Sequence, residues 1–135
     1  MNKNRTFRYN SVMLIDDGAV DNFINEKLIR YYFFSDKVYV HTSAKSALEF
    51  FKNIEKIGSI PESLIPDYIF LDLNMPMIDG WGFLQEYERL DLSFDCKIVV
   101  LTASVDPNDK ERAKKIKNII DFFCKPLSEE MLKSL

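Results

Sequence analysis

A single histidine, two cysteines and no apolar stretch of membrane-span length set the first limits on this 135-residue chain. A spanning helix needs about 20 consecutive apolar residues; none is present, and no membrane association is expected. Residues 1–5, Met-Asn-Lys-Asn-Arg, are polar and lack the apolar core of a signal peptide. The two cysteines, Cys96 and Cys124, fall at the start of one predicted strand and the end of another. Parallel strands put those positions at opposite edges of a sheet, too far apart to bridge. Free thiols suit a reducing compartment, and a cytoplasmic location is expected. A basic excess is missing too: a formal charge of -3 and a pI near 5.2 argue against a general nucleic-acid surface. The local cluster Lys110, Arg112, Lys114, Lys115 and Lys117 reads as the solvated face of a helix. Repeats, low-complexity tracts and a second composition zone are absent. What remains, 47% hydrophobic and 29% charged, is the composition of a globular domain with a proper core.

Strand-like and helix-like segments alternate along the chain, which is the signature of a parallel α/β sheet. Ser11–Ile15 is too uniformly apolar to have a wet face. Asp21 to about Tyr32 follows as a helix, with Asp21 as a plausible N-cap and Phe23, Ile24, Leu28 and Tyr31 or Tyr32 at helical spacing. Lys37–His41 alternates like an edge strand exposed on one side, and His41 reads as a surface residue. Ser43 to about Ile57 predicts a helix with Ala44, Ala47, Leu48, Phe51 and Ile54 inward. Residues 58–67 are a loop bounded by Gly58, Pro61 and Pro66. The Asp72 strand comes next, then a helix from about Gly80 to Leu90 carrying Trp81, Phe83, Leu84 and Tyr87. The Thr102 strand follows, then a helix with Pro107 in its first turn, and then the Lys125 strand. Ser128-Glu129-Glu130-Met131 starts a short final helix with capping-box character. One domain over 1–135 is expected, with 1–9 as a flexible N-terminal segment.

The chemistry lies where apolar runs end. Val12-Met13-Leu14-Ile15 delivers Asp16 and Asp17; Tyr68-Ile69-Phe70-Leu71 delivers Asp72; Ile98-Val99-Val100-Leu101 delivers Thr102; and the run ending at Cys124 delivers Lys125 and Pro126. In an open parallel sheet the C-terminal strand ends line one edge, where ligands bind. Neighbouring strands would therefore gather three carboxylates, a hydroxyl and an ammonium in one crevice. Three ionised carboxylates within about 5 Å repel by about 3 kcal/mol per pair at an effective dielectric near 20. A divalent cation removes that penalty, and oxygen-only ligands favour Mg²⁺. Asp72 is also a possible nucleophile, since carboxylates form aspartyl-phosphate intermediates. Mg²⁺, Lys125 and Thr102 would then neutralise the phosphoryl oxygens.

These motifs, with Leu73-Asn74-Met75-Pro76, Asp79-Gly80 and Leu101-Thr102-Ala103, resemble the receiver domains of two-component response regulators over essentially the whole chain. The resemblance implies a flavodoxin-like, doubly wound, five-stranded parallel sheet of order 2-1-3-4-5 with helices on both faces. It implies that Asp72 accepts phosphate from a sensor histidine kinase or a histidine phosphotransfer protein. Asp16, Asp17 and Asp72 would hold Mg²⁺ with the main-chain carbonyl of Asn74. Thr102 and Lys125 would contact the phosphoryl group, the Lys125–Pro126 bond would be cis as in many members, and Phe122 would be the aromatic switch that moves with Thr102. Asn74 and Ser104 would tune access of the hydrolytic water. A downstream protein partner would read the helix near Asp109–Lys117, the Lys125 strand and the final helix.

Such a domain is a signalling module that catalyses only its own phosphorylation and dephosphorylation. It would act alone, as a relay intermediate, or as part of a longer regulator. A Mg²⁺-dependent aspartyl phosphatase is the enzyme alternative, but the position two after Asp72 is Asn74, where such enzymes carry a second Asp. A phosphate-independent pseudo-receiver is the third reading, and the filled set Asp16, Asp17, Asp72, Thr102 and Lys125 disfavours it.

Overall fold

The computed structural model describes residues 6–135. Five parallel strands, β1 (Tyr9–Ile15), β2 (Ser35–His41), β3 (Tyr68–Leu71), β4 (Lys97–Thr102) and β5 (Ile119–Cys124), form one sheet in the order β2-β1-β3-β4-β5. The helices are α1 (Ala19–Tyr31), α2 (Ala44–Ile57), α3 (Gly80–Glu88), α4 (Pro107–Lys114) and α5 (Glu129–Lys133). A short 3-10 turn over Glu62–Leu64 interrupts the connection that was expected to be loop throughout. The expected doubly wound, flavodoxin-like sheet is the observed one, with β2 on an edge.

Both faces of the sheet are covered, which explains why the central strands read as unbroken apolar runs. On one face Met13, Ile15, Ile69, Leu71 and Ile98 pack against Ala47, Leu48 and Phe51 of α2 and Phe83 and Tyr87 of α3. On the other, Val12, Leu14, Phe70, Val99 and Leu101 meet Ile29 of α1 and Leu132 of α5. Each large side chain buried in these layers contributes about 1.5–3 kcal/mol. The sequence pattern of α2 is realised residue for residue: Ala44, Ala47, Leu48, Phe51 and Ile54 are its buried positions, and Ser43 caps it by accepting from the Ser46 amide. Pro107 occupies the first turn of α4 behind the Asp106 cap, and Ser128 caps α5.

Two expectations need correction. Helix α1 begins at Ala19 with Gly18 at the N-cap, so Asp21 lies in the first turn and caps nothing. Its buried face is Asn22, Asn25 and Ile29, while Phe23, Ile24 and Tyr31 are exposed. The rotation is set by polar contacts: the Asn22 side-chain amide donates to the Asp16 main-chain carbonyl at 2.7 Å. Second, β1 starts inside the stretch that was expected to be flexible. Tyr9 opens β1, and Arg8 donates to the carbonyls of Leu132 and Leu135 at 2.9 and 2.7 Å. Residues 1–5, the rest of that expectation, lie outside the described residues.

Candidate functional site

In this strand order the chain reverses direction across the sheet between β1 and β3, and the crevice opens at the carboxyl ends of those strands. Asp16 and Asp17 follow β1 and Asp72 follows β3, so the fold alone puts them on either side of that crevice. Carboxylate oxygens of the three lie within 4.8 Å of one another, with Asp16 and Asp72 buried and Asp17 exposed. Gly80 lets the start of α3 press against this edge. A Cβ there would come within 2.7 Å of the Asp72 carbonyl oxygen and the Leu73 Cα, closer than any side chain can sit.

Asp72 is approached on both oxygens. The Thr102 hydroxyl donates to Oδ1 at 3.0 Å and the Asn74 amide donates to the same oxygen at 3.2 Å. The Lys125 ammonium lies 3.2 Å from Oδ2. Lys125 is delivered by β5, whose neighbour β4 carries Thr102: the Lys125 amide donates to the Thr102 carbonyl at 2.9 Å, and the Lys125–Pro126 bond is cis. The same ammonium lies 2.7 Å from Asp16 Oδ2 and 3.0 Å from Asp21 Oδ2. Burial alone would lower the lysine's pKa, but hydrogen bonds to Asp16 and Asp21 and the charges of Asp72 and Asp16 outweigh it and hold the group firmly protonated. Asp16 shifts upward because burial, helped by the charge of Asp72, outweighs the Lys125 and Gly18 hydrogen bonds that favour its ionised form.

All five strand-end residues named from the sequence, Asp16, Asp17, Asp72, Thr102 and Lys125, come together here. Asn74 reaches the site through its backbone amide, its side chain being exposed. Ser104 is turned away: its hydroxyl donates to Asp109 Oδ2 of α4 at 2.6 Å while its amide donates to the Thr102 hydroxyl at 3.3 Å. Phe122 sits half-buried on β5 in a groove with Ala113 of α4 and Ile119, away from the carboxylates. The residue that sequence reasoning missed is Asp21. No local signal could have revealed it, because its partner Lys125 is 104 positions away.

Three carboxylates offering oxygen alone, beside a fixed hydroxyl and ammonium, are suited to a hard divalent cation such as Mg²⁺ and to an anion of phosphate type. The model of the response regulator receiver domain matches residues 12–135, and the chain belongs to that family. Among solved structures it is similar to a two-component response regulator from Cytophaga hutchinsonii (27% identity, TM-score 0.78, covering 92% of this chain and 91% of that one). A receiver protein from Dyadobacter fermentans DSM 18053 is comparable (27%, TM-score 0.74, 92% of each). Among curated proteins it matches the sensor histidine kinase CheAY of Helicobacter pylori at 27% identity, over 90% of this chain but only 14% of CheAY. It also matches the probable methanogenesis regulatory protein FilR2 of Methanothrix harundinacea at 26%, over 90% of this chain and 76% of FilR2. The fold and the receiver class expected from the sequence are thus the observed ones.

Proposed function

We propose that this receiver domain takes a phosphoryl group onto Asp72 from the phosphohistidine of a sensor histidine kinase or a histidine phosphotransfer protein. The observation that carries the reading is the pairing of the two oxygens of buried Asp72, one with the Thr102 hydroxyl and the other with the Lys125 ammonium. An Asp72 oxygen attacks phosphorus, the N–P bond breaks, and the imidazole leaves with its electron pair and takes up a proton. Thr102 and Lys125 then turn their donors from the carboxylate to the phosphoryl oxygens. Asp16, Asp17 and Asp72, with the main-chain carbonyl of Asn74, would hold Mg²⁺, which would supply positive charge against the developing phosphoryl oxygens.

A protein donor fits the rim of the crevice, where Val20 of α1, Met77 after β3 and Val105 after β4 are exposed apolar side chains. Readout follows from charge. A phosphoryl group adds up to about two negative charges, which draw on Thr102 and bias Phe122 and the α4–β5–α5 surface toward a second arrangement. The domain signals to a protein partner. Both cysteines are free, in keeping with a reducing cytoplasm.

The test is intact mass after incubation with acetyl phosphate and Mg²⁺. A gain of one phosphoryl group that is abolished by Asp72→Asn and by EDTA is the expected result. No gain at Mg²⁺ concentrations that saturate the protein, with purified kinase or phosphotransfer protein also failing, would overturn the proposal.

A further inference from the structure

Lys125 has one more carboxylate partner than the receiver reading uses. Of its three, Asp16 and Asp72 belong to the cluster that can hold a cation, while Asp21 does not. A divalent ion in that cluster draws on the Asp16 and Asp72 carboxylates, each of which now gives one oxygen to the ammonium. Metal and lysine are therefore competitors for two carboxylates, and Asp21 is the partner the lysine keeps when the other two are shared.

Two independent features fit Asp21 to this task. It lies in the first turn of α1, where the helix dipole favours negative charge. Residue 18 is a glycine, and a Cβ there would stand 3.1 Å from Asp21 Oδ2 and 3.2 Å from Asp16 Oδ1, crowding both. The missing side chain leaves the Asp21 carboxylate room to lie over the helix start and meet Lys125. Its side chain is half exposed, so it can follow the ammonium through a small displacement.

We infer that Asp21 is a positioning residue that retains Lys125 at the crevice while Asp16 and Asp72 turn to the metal, and so eases Mg²⁺ binding and keeps the ammonium ready for the phosphoryl group. The inference rests on the receiver reading above. Without Asp21 the ammonium has only the metal's own ligands to bind, and it competes harder for them. An exposed or half-exposed ion pair is worth up to about fivefold in an equilibrium constant, which sets the size of the effect.

The experiment is calorimetric titration of the unphosphorylated chain with MgCl₂, on the unmodified protein and on Asp21→Asn, Asp21→Glu and Glu26→Gln. The last removes the same charge from α1 at a residue paired with Arg30 instead of Lys125. Asp21→Asn is expected to weaken Mg²⁺ about fivefold, Asp21→Glu to restore part of the loss, and Glu26→Gln to change the affinity by less than about 1.5-fold. In a Lys125→Met background the Asp21→Asn effect should shrink to less than about twofold, because the competitor is gone. Equal weakening in both backgrounds, no weakening, or a matching loss in Glu26→Gln would overturn the inference while leaving the receiver reading intact. If Lys125→Met does not fold, the Glu26→Gln comparison alone decides. Failure of the unmodified protein to bind Mg²⁺ would overturn the metal reading and this inference with it.

Discussion

Helices α1 and α2 flank the same strand pair from opposite faces, yet they obey different rules. Helix α2 buries Ala44, Ala47, Leu48, Phe51 and Ile54, an apolar stripe at regular helical spacing. Helix α1 buries Asn22, Asn25 and Ile29 and leaves Phe23 and Tyr31 facing solvent, 61% and 71% exposed. Both use the i, i+3, i+7 spacing that the helix geometry demands. What differs is what each one packs against. The buried face of helix α2 meets hydrocarbon, so burial of apolar area decides its rotation. The first turns of α1 lie beside strand ends with polar groups to satisfy, so hydrogen bonds to Asp16 and an ion pair to Lys125 decide it. An unpaired buried carbonyl costs about 1–3 kcal/mol, comparable to what an exposed aromatic ring forgoes.

The largest break in this comparison is the same substitution made in both helices. Phe51→Ala removes a fully buried ring from α2 and is expected to cost about 3–5 kcal/mol in urea unfolding. Phe23→Ala in α1 should change stability by less than about 0.5 kcal/mol. A cost above about 2 kcal/mol at Phe23 would mean that α1 is rotated the other way.

A smaller effect separates hydrogen bonding from burial. Asn22→Leu looks favourable by apolar patterning, but it leaves the Asp16 carbonyl without its donor. The other side-chain atom, Asn22 Oδ1, has no partner among the described residues, so its removal trims the loss. The expected net is a destabilisation of about 1 kcal/mol, accompanied by slower phosphorylation by acetyl phosphate because Asp16 is less well held. A more stable variant with unchanged phosphorylation would show that apolar area, and not the Asp16 contact, controls α1.

The smallest effect is a pH dependence at the one polar tie between β2 and α2. His41 Nδ1 lies 2.7 Å from the Ser46 hydroxyl, and burial lowers the histidine's pKa from the ordinary 6.5. The folded protein then takes up this proton less readily than the unfolded chain. Its contribution to stability is complete above the unfolded value and declines as pH falls through 6.5 toward the depressed folded value. Thermal midpoints should fall between about pH 7.5 and 5.5, and the fall should be smaller in His41→Gln. An identical pH profile in that variant would assign the dependence to the carboxylates.

Much of this was legible in advance because the signals are local. Apolar runs ending in Asp16, Asp72, Thr102 and Lys125 read directly as buried strands with chemistry at their tips. The α2 stripe and the Pro107 and Ser128 helix starts are equally local, each a matter of spacing or of chemistry within one turn. The start of β1 was not legible, because the contacts that hold Arg8 and Tyr9 come from Phe33, Phe34 and the last helix. Nor was the direction of the Ser104 side chain, which depends on where Asp109 stands after the turn into α4.

By itself the sequence determined the alternation of strands and helices, the parallel sheet and the identity of the five strand-end groups, since each follows from the polarity of neighbours a few positions apart. Only the tertiary structure decided which face α1 turns inward, and that Asp21 shares Lys125 with Asp16 and Asp72. Those outcomes depend on electrostatic and hydrogen-bond energies between groups up to 104 positions apart in the chain. Such energies exist only once the sheet has brought the strand ends within about 4 Å of their partners.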